Sequence, residues 1–255
     1  MTGTLTIVGV GPGRRELITP AASAAIADAT DLIGYGPYLD RVSTLTPGQI
    51  RHASDNRVEL DRARHALALA SDGRRVAVVS GGDPGVFAMA AAVFEAVEAG
   101  PPEWRALDIR VEPGVTAMLA AAAEVGAPLG GDFCAISLSD NLKSWTTISR
   151  RLQAAAGADF VIALYNPLSK ARPHQLGEAF ALLREIKPPS TVVVMVRAAG
   201  SGEVRRIITT LGEVDPDSAD MRTLVLIGST ATRLIARDGK APFVYTLRRE
   251  AGAGP

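Results

Sequence analysis

The chain has 255 residues, which is enough for one large α/β domain or two smaller ones with substantial cores. Hydrophobic residues make up 47% of it and charged residues 21%, as in an ordinary soluble globular protein. The 27 basic and 27 acidic residues cancel, which argues against a protein that coats nucleic acid with a basic surface.

A membrane span and a cysteine-ligated metal site are also disfavoured. No stretch approaches the ~18 uninterrupted apolar residues of a span, and LTIVGV follows the first residues without a basic leader, which predicts a cytoplasmic protein. The single cysteine, Cys134, is expected to be a buried small residue in a strand. His52, His65 and His174 lack ligand spacing and are expected to be surface residues, so no metal site is predicted.

Short β-branched runs alternate with alanine-rich segments of helical period, which predicts parallel sheets covered by helices. The predicted strands are Leu5–Gly9, Asp31–Tyr35, Arg75–Val79, Asp108–Val111, Phe133–Ser137, Asp159–Leu164, Thr191–Val196 and Thr223–Ile227. Two helices are predicted by their starts, one at Thr19-Pro20 and one directly after Pro84. Four more are predicted over Glu59–Ala70, Val115–Val125, Trp145–Ala156 and Pro173–Ile186.

A glycine- and proline-rich break, VGAPLGG, follows the fourth strand-helix pair. It predicts two α/β domains, residues 1–125 and 126–255, each with about four strands. A cleft between two such domains is a common place for a ligand, so the active site is expected there.

The first glycine-rich loop, IVGVGPGRREL, places Gly9, Gly11 and Gly13 directly after the first strand. A dinucleotide fingerprint needs a further glycine where Arg14 stands, and Pro12 removes a backbone donor that a pyrophosphate would use. Nicotinamide binding and a ligand-free tight turn remain the alternatives for this loop.

Two further loops follow strands in the same half. SGGDPGVF has Gly81 and Gly82, which allow a ligand to approach the backbone closely, and Asp83, which is either a helix cap or a ligand contact. EPGVTAM has Thr116 and Ala117 in the first turn of the next helix. In open α/β sheets ligands bind at the carboxyl ends of strands, and none of these loops is a phosphate loop.

GVGPG, GGDPGVF and PGVTA together resemble, in order and spacing, the signature loops of the tetrapyrrole methylase family. In the second half, DFCAISLSDNLKSWTTISRRL, FVIALYNPLSKARPHQL and MRTLVLIGSTATR resemble the branch that methylates carbon 17 of precorrin-3B and contracts its ring. The resemblance runs from about Leu5 to Arg233. It implies two α/β domains with a cleft between them, S-adenosylmethionine as methyl donor, a tetrapyrrole substrate in cobalamin biosynthesis, no metal cofactor, and a homodimer.

The resemblance also implies site residues. Cofactor contacts would fall on Pro12, Gly81, Gly82, Asp83, Val86, Thr116, Ala117, Leu164, Tyr165, Asn166, Gly200, Gly228, Ser229 and Thr230. The substrate would face Gly9, Gly11 and Gly13, and Arg14 and Arg197 are our candidates for binding its carboxylates.

Methyl transfer from a sulfonium needs an aligned carbon nucleophile and little else, because orientation supplies most of the acceleration. Asp83 is expected to bind hydroxyl or amino groups of the cofactor, away from its sulfur. For the proton moved during ring contraction the candidates are Tyr35, Tyr38, Ser139, Asp140 and Lys143. Uroporphyrinogen-type relatives carry an acid after the tyrosine of the second strand, where this chain has Gly36, so that base is missing here.

Other readings remain open. One is the cobalt-bound form of the same reaction, cobalt-factor III in place of precorrin-3B, and others are methylation of a different tetrapyrrole carbon, of ribosomal RNA or of a modified histidine. Outside the superfamily, a nicotinamide-dependent oxidoreductase and a non-catalytic tetrapyrrole carrier are the rivals. The neutral net charge disfavours RNA, and no nucleic-acid or membrane partner is predicted.

Overall fold

A computed structural model describes residues 3–42, 46–55, 58–169 and 171–249. The chain divides into two compact units, Met1–Ala117 and Met118–Pro255. This division comes eight residues before the boundary after residue 125 expected from the glycine-rich break, and it falls at the start of a helix.

The first unit is built on a sheet of five parallel strands in the order β3-β2-β4-β1-β5. Because all five run the same way, all their carboxyl ends lie along one edge. The strands are β1 (Thr4–Gly9), β2 (Asp31–Tyr35), β3 (Ile50–Ser54), β4 (Arg75–Ser80) and β5 (Asp108–Glu112). The helices are α1 (Pro20–Asp28), α2 (Gly36–Leu39), α3 (Glu59–Ser71) and α4 (Met89–Ala99).

Local sequence explains where these helices begin. Thr19 caps α1, since its hydroxyl accepts a hydrogen bond from the backbone N–H of Ala22 at 3.1 Å, and Pro20 occupies the first turn. α3 has Glu59 and Asp61 in its first turn, where negative charge complements the helix dipole. Its buried residues at helical spacing form the stripe that meets the sheet: Ala63, Ala66, Leu67 and Ala70.

Alternation along β1 separates two cores. Leu5 and Ile7 pack with α3 and α4 on one face, and Val8 packs with α1 on the other. The connection that leaves β1 therefore leads to α1 on the face of Val8. The connection that leaves the neighbouring β4 leads to α4 on the opposite face, that of Leu5 and Ile7. Such a reversal between adjacent strands is where open α/β sheets bind ligands.

The second unit has a five-stranded sheet in the order β10-β9-β11-β8-β7. Only β7 and β8 pair in parallel, whereas β11 is antiparallel to both β8 and β9, and β10 is antiparallel to β9. The prediction of a second parallel sheet was wrong. The strands are β7 (Phe133–Ser137), β8 (Val161–Tyr165), β9 (Val192–Arg197), β10 (Arg205–Thr210) and β11 (Thr223–Ile227).

A smaller three-stranded sheet, β12-β13-β6, completes this unit. Its strands are β6 (Gly126–Ala127), β12 (Thr232–Arg237) and β13 (Lys240–Thr246). The glycine-rich stretch expected as a domain boundary thus contributes a strand. Gly126 has φ +137°, and a Cβ atom there would lie 2.4 Å from the carbonyl oxygen of Val244. The helices of the unit are α5 (Ala117–Ala123), α6 (Trp145–Gly157) and α7 (Gln175–Arg184).

Most predicted elements are confirmed within one or two residues, and β2, β7 and β11 match at both ends. The helix predicted directly after Pro84 was wrong, because α4 begins only at Met89. Five strands were missed: β3, β6, β10, β12 and β13. Four of these are at the edge of a sheet, where only weak hydrophobic patterning is required.

A buried carboxylate lies at the amino end of β2. Asp31 is 1% exposed and accepts hydrogen bonds from Arg74 Nε at 2.7 Å and Thr30 Oγ1 at 2.7 Å, with His52 Nε2 at 2.9 Å. His52, expected at the surface, is therefore part of a polar cluster and stacks edge-on against His65. Burial alone would raise the pKa of Asp31, but the hydrogen bonds from Arg74, His52 and Thr30 lower it to about 2.

We predict that Asp31→Asn lowers the free energy of unfolding by about 2 kcal/mol at pH 6, because a pKa depressed in the folded state stabilises that state above the unfolded pKa. This contribution is lost as the pH falls from about 4 towards 2, so the wild type and the variant should converge there. Urea unfolding at pH 6, 4 and 3 measures the difference. Asp28→Asn is the control, since Asp28 is exposed and pairs with Arg75 at 3.3 Å. A difference that stays constant from pH 6 to pH 3 contradicts the prediction.

Candidate functional site

Three loops leave the carboxyl edge of the first sheet, and two of them are joined backbone to backbone. The N–H of Gly11 donates to the carbonyl of Gly82 at 3.2 Å, and the N–H of Gly82 donates to the carbonyl of Gly11 at 2.8 Å. Both glycines have positive φ, +67° and +66°, which other residues rarely adopt. This pair sits between β1 and β4, at the point where the chain connections reverse.

The third loop packs against this pair through a further glycine. A Cβ atom at Gly114 would lie 2.2 Å from the carbonyl oxygen of Gly82, and one at Gly9 would lie 2.7 Å from that same oxygen. No side chain fits at either place without moving backbone. We call the set Gly9, Gly11, Gly82 and Gly114 the glycine junction, and it fixes the three loops relative to one another.

Asp83 holds two of these loops together. Its Oδ1 accepts the N–H of Gly85 at 2.8 Å, and its Oδ2 accepts the N–H of Gly114 at 3.0 Å. Asp83 is thus neither the cap of α4 nor a free carboxylate. Each carboxylate oxygen has more than one lone pair, so Asp83 can still accept hydroxyl or amino groups from a ligand.

The loop after β4 also contains a residue in a strained backbone conformation. Phe87 has φ +53°, which is costly for a residue other than glycine, and its side chain is 51% exposed. Residues held in rare conformations concentrate at ligand sites. Val86 is half-buried, and Thr116, from the third loop, is buried.

Two tyrosines lie beside the second loop. The ring of Tyr38 covers Gly81, because a Cβ there would lie 2.6 Å from the ring's Cζ, and the ring of Tyr35 meets it edge-on at 5.4 Å. Arg41 lies over the Tyr38 ring at 5.1 Å and donates from Nη1 to the carbonyl of Gly11 at 3.2 Å. The proton-transfer candidates Tyr35 and Tyr38 therefore lie at this edge of the sheet.

Space is available next to these residues. A cavity of about 240 Å³ is lined by Tyr35, Gly36, Pro37, Ala53, Ser54 and Asp55. Gly36 would accept a Cβ without meeting any atom within 4 Å, so the missing acid at this position is not explained by lack of room. From the first loop, Pro12 and Gly13 are half-buried and Arg14 is exposed.

In the second unit, Tyr165 is the last residue of β8 and Asn166 begins the loop after it. The hydroxyl oxygen of Tyr165 accepts the N–H of Met118 at 3.1 Å, and Asn166 Nδ2 donates to Ser137 Oγ at 2.9 Å. Asn166 is exposed and has φ +52°. Leu164 is fully buried in the hydrophobic core, so only its backbone is available for the cofactor contact expected of it.

The loop after β7 carries the other proton-transfer candidates. Asp140 Oδ2 accepts from Gln175 Nε2 at 3.1 Å, and Asp140 Oδ1 is 3.9 Å from Arg172 Nε. Ser139 donates its N–H to Ser137 Oγ at 3.3 Å. The pKa of Lys143 is lowered, first by burial and then by the charge of Arg151.

The loop after β9 contains Gly200, which has φ +69° and donates its N–H to Glu124 Oε1 at 3.3 Å. Arg197, expected to bind a substrate carboxylate, donates from Nε to Asp220 Oδ2 at 2.6 Å. Part of its guanidinium is thus already used within the protein. β9 runs in the same direction as β8, so Arg197 and Gly200 lie at the same edge of the sheet as Tyr165 and Asn166.

The Gly228–Thr230 turn lies at the opposite edge of that sheet. Ile227 pairs with Ile162 in antiparallel β8, and Tyr165 is three residues further on, about 10 Å away at the usual rise per residue. The N–H of Thr230 instead donates to the carboxylate of Asp159, which also pairs with Lys187 at 2.8 Å. The structure therefore does not bring Gly228, Ser229 and Thr230 together with the other expected cofactor residues of this unit.

Three contacts at these loops were missed from sequence. They belong to Arg41, Ser137 and Glu124, which hold Gly11, Asn166 and Gly200. Each joins residues more than 25 positions apart, so no local pattern marks them. Arg41 and Glu124 also look like ordinary charged surface residues in the sequence.

Within the described parts of the chain, no group of three or more histidine, cysteine or acidic side chains could hold a metal ion. None of the helices in those same ranges is long and apolar enough to cross a membrane. Cys134 lies in β7 as predicted and is partly buried, which raises the pKa of its thiol against a smaller opposing effect of Lys187.

Known proteins resemble this chain along its whole length. A precorrin-3B C(17)-methyltransferase of Sinorhizobium is 60% identical over 253 residues, covering 99% of each chain. A probable cobalt-factor III C(17)-methyltransferase of Salmonella typhimurium is 39% identical, covering 95% of this chain and all of the relative. The crystal structure of the methyltransferase CobJ superimposes with a TM-score of 0.91 at 53% identity, covering 96% of this chain and 100% of the other.

The family model described as tetrapyrrole (corrin/porphyrin) methylases matches residues 4–215. That range contains all three loops of the glycine junction as well as the loops after β7, β8 and β9. Together with the full-length relatives, the match settles the family, and the chain belongs to the tetrapyrrole (corrin/porphyrin) methylases.

Proposed function

We propose that this protein is an S-adenosylmethionine-dependent methyltransferase that methylates carbon 17 of precorrin-3B and contracts the macrocycle to precorrin-4, within cobalamin biosynthesis. The single observation that carries this proposal is the 60% identity, over 99% of each chain, to a precorrin-3B C(17)-methyltransferase. The glycine junction supports it, since it offers exposed loops at a chain reversal without any phosphate loop.

The loops of the first unit fit a nucleoside-like cofactor. Gly82 leaves its Cα side open, since an added Cβ would meet nothing closer than 3.8 Å, and the neighbouring Asp83 offers anionic acceptors. When bound, S-adenosylmethionine supplies a methyl group on positively charged sulfur. Asp83 would hold its hydroxyl or amino groups, because a carboxylate at the sulfur would stabilise the charged ground state more than the transition state, in which that charge disappears. The contacts expected of Tyr165, Asn166 and Gly200 remain predictions.

Orientation is the main contribution asked of the protein. Holding the acceptor carbon in line with the methyl group converts the reaction into one between fixed partners, which lowers the barrier without an enzyme nucleophile. Rigid loops suit that task, and the glycine junction makes these loops rigid.

Ring contraction also requires a group that moves a proton from a tertiary hydroxyl. Among the candidates, Lys143 has a pKa that is lowered, first by burial and then by the charge of Arg151. Asp140 is already hydrogen-bonded to Gln175, which suits a positioning role better. Tyr35, Tyr38 and Ser139 remain further candidates.

The second candidate function is the same reaction on cobalt-factor III. The lower identity to the cobalt-factor III relative, 39% against 60%, favours the metal-free substrate. We further infer a cytoplasmic protein that forms a homodimer, as the resemblance implies. No nucleic-acid partner is expected because the net charge is neutral, and no membrane partner because the sequence lacks a long apolar stretch. Light scattering in solution tests the dimer.

The reaction itself gives the first test. Incubation of the purified protein with methyl-labelled S-adenosylmethionine and precorrin-3B should give one labelled methyl group on carbon 17 and a contracted ring, read by mass spectrometry and NMR. Cobalt-factor III is assayed in parallel, and a reaction without protein is the control. A methylated product with an intact ring refutes the ring-contraction part of the proposal, and faster turnover of cobalt-factor III favours the second candidate.

The role of Asp83 gives the second test. Asp83→Ala should weaken S-adenosylmethionine binding by about 1.5–3 kcal/mol, the value of a hydrogen bond to a charged group, as measured by calorimetry. Asp83→Asn should also weaken it, since Gly85 and Gly114 donate to different carboxylate oxygens and one of them would then face an NH2 group, which cannot accept. Asp108→Ala is the matched control, because Asp108 lies at the amino end of β5 and pairs with Arg110. Unchanged affinity in both Asp83 variants excludes this role.

A further inference from the structure

Residues 198–204, which join β9 to β10, form an unusual hairpin loop. Such loops normally lie at the surface, but Ala198 and Ala199 are each only 7% exposed and Gly200 is also buried. Ala198 has φ +52° and Gly200 has φ +69°. The loop is folded inward and strained, so something outside its own sequence must hold it in this shape.

The strain has a pattern. Among the described non-glycine residues, positive φ occurs at Phe87, Asp159, Asn166 and Ala198. Phe87, Asn166 and Ala198 lie in loops that follow the carboxyl ends of β4, β8 and β9, and each of these loops also contains a residue expected to contact the cofactor. Three of the four strained residues thus lie in these loops, whereas Asp159 lies in the turn before β8. Residues held in rare conformations concentrate at functional sites, which makes these loops candidates for such a site.

The carbonyl of Arg222 holds the start of the 198–204 loop by accepting the N–H of Ala198 at 2.9 Å, and the side chain that holds Gly200 is Glu124. Its Oε1 accepts the N–H of Gly200 at 3.3 Å, and its Oε2 accepts from Arg206 Nε at 3.0 Å and also from Arg206 Nη2. The Glu124 side chain is only 15% exposed. Since Arg206, the second residue of β10, fixes the carboxylate, the carboxylate can fix the loop that precedes β10.

Glu124 also connects the loop to α5. It follows α5 directly, and near the other end of that helix the N–H of Met118 donates to the hydroxyl of Tyr165 at 3.1 Å. Within this unit, the start of α5 is therefore bound to the last residue of β8, and the residue that follows α5 is bound to the loop after β9. Glu124 sets the position of Gly200 relative to Tyr165.

We propose that Glu124 is a positioning residue for cofactor binding, which acts by holding the Gly200 loop in its strained conformation and does not itself touch the reacting atoms. This inference rests on the proposed S-adenosylmethionine-dependent function. It assigns the conformation of the loop to the largely buried carboxylate of Glu124, and it separates the backbone contact to Gly200 from the ion pair to the more exposed Arg206.

The test is calorimetric binding of S-adenosylhomocysteine, together with KM for S-adenosylmethionine and kcat in the methylation assay. Glu124→Ala should raise Kd and KM about tenfold, the factor that matches one lost hydrogen bond to a charged group, with kcat at saturation within about threefold of wild type. Glu203→Ala is the matched control, because Glu203 lies in the same loop and pairs with Arg222 at 2.7 Å at the surface. Its Kd should stay within about twofold of wild type.

A charge-swapped variant separates the two contacts. Glu124→Arg combined with Arg206→Glu can restore an ion pair but cannot accept the N–H of Gly200, so thermal stability should recover while the weak binding persists. Recovery of binding in the swap means that the ion pair alone matters and overturns the proposal. If Glu124→Ala does not fold, Glu124→Met, which keeps the length of the side chain but cannot accept the N–H of Gly200, replaces it with the same expectation of raised Kd and KM.

The outcomes also separate this inference from the proposed function. Wild-type protein that binds no S-adenosylhomocysteine overturns both. Wild-type protein that binds it, with a Glu124 variant that melts at a lower temperature but binds equally well, leaves the function standing and reduces Glu124 to a structural role. A rise in Kd confined to the Glu124 variants supports the positioning role.

Discussion

Close backbone contact among four glycines is the constraint on which the first unit depends. Gly11 and Gly82 exchange hydrogen bonds, and Gly9 and Gly114 approach the carbonyl of Gly82 so closely that no Cβ fits. Asp83 then ties the second loop to the third through the N–H of Gly114. Three loops that could each move separately are thereby fixed as one surface, which is what a reaction dominated by orientation requires.

The second unit fixes its loops by different means. Here side chains hold the backbone: Ser137 holds Asn166, the hydroxyl of Tyr165 holds Met118, and Glu124 holds Gly200. The strained conformation of Asn166 persists because its contact to Ser137 outweighs the local cost. That of Ala198 is held by its hydrogen bond to the carbonyl of Arg222 and by the burial of Ala198 and Ala199. Both units therefore hold their loops in defined conformations, one through glycine packing and one through polar contacts.

Charged side chains that the sequence offers for ligand binding already make hydrogen bonds within the protein. Arg197 pairs with Asp220, Asp140 accepts from Gln175, and Asp83 accepts two backbone N–H groups. These residues look available in the sequence, because nothing in the chain order shows that Arg197 has a partner 23 positions away or Asp140 one 35 positions away. The Gly228–Thr230 turn is a similar case, since its place at the far edge of the sheet follows from the direction of β11.

The sequence by itself determined the family, the strand-helix alternation, the bounds of β2, β7 and β11 and the three glycine loops, because these depend on local patterns: periodicity, turn residues and ordered motifs. Tertiary structure alone decided that β10 and β11 run antiparallel to β9 and that the missed edge strands join their sheets. It also decided the late start of α4 and the contacts of Arg41 and Glu124. Those features depend on pairing between distant segments, and a buried hydrophobic run such as Thr223–Ile227 is equally compatible with either strand direction. Only the folded chain brings Glu124 to Gly200 and Gly114 to Asp83, since each contact joins residues that no local pattern relates.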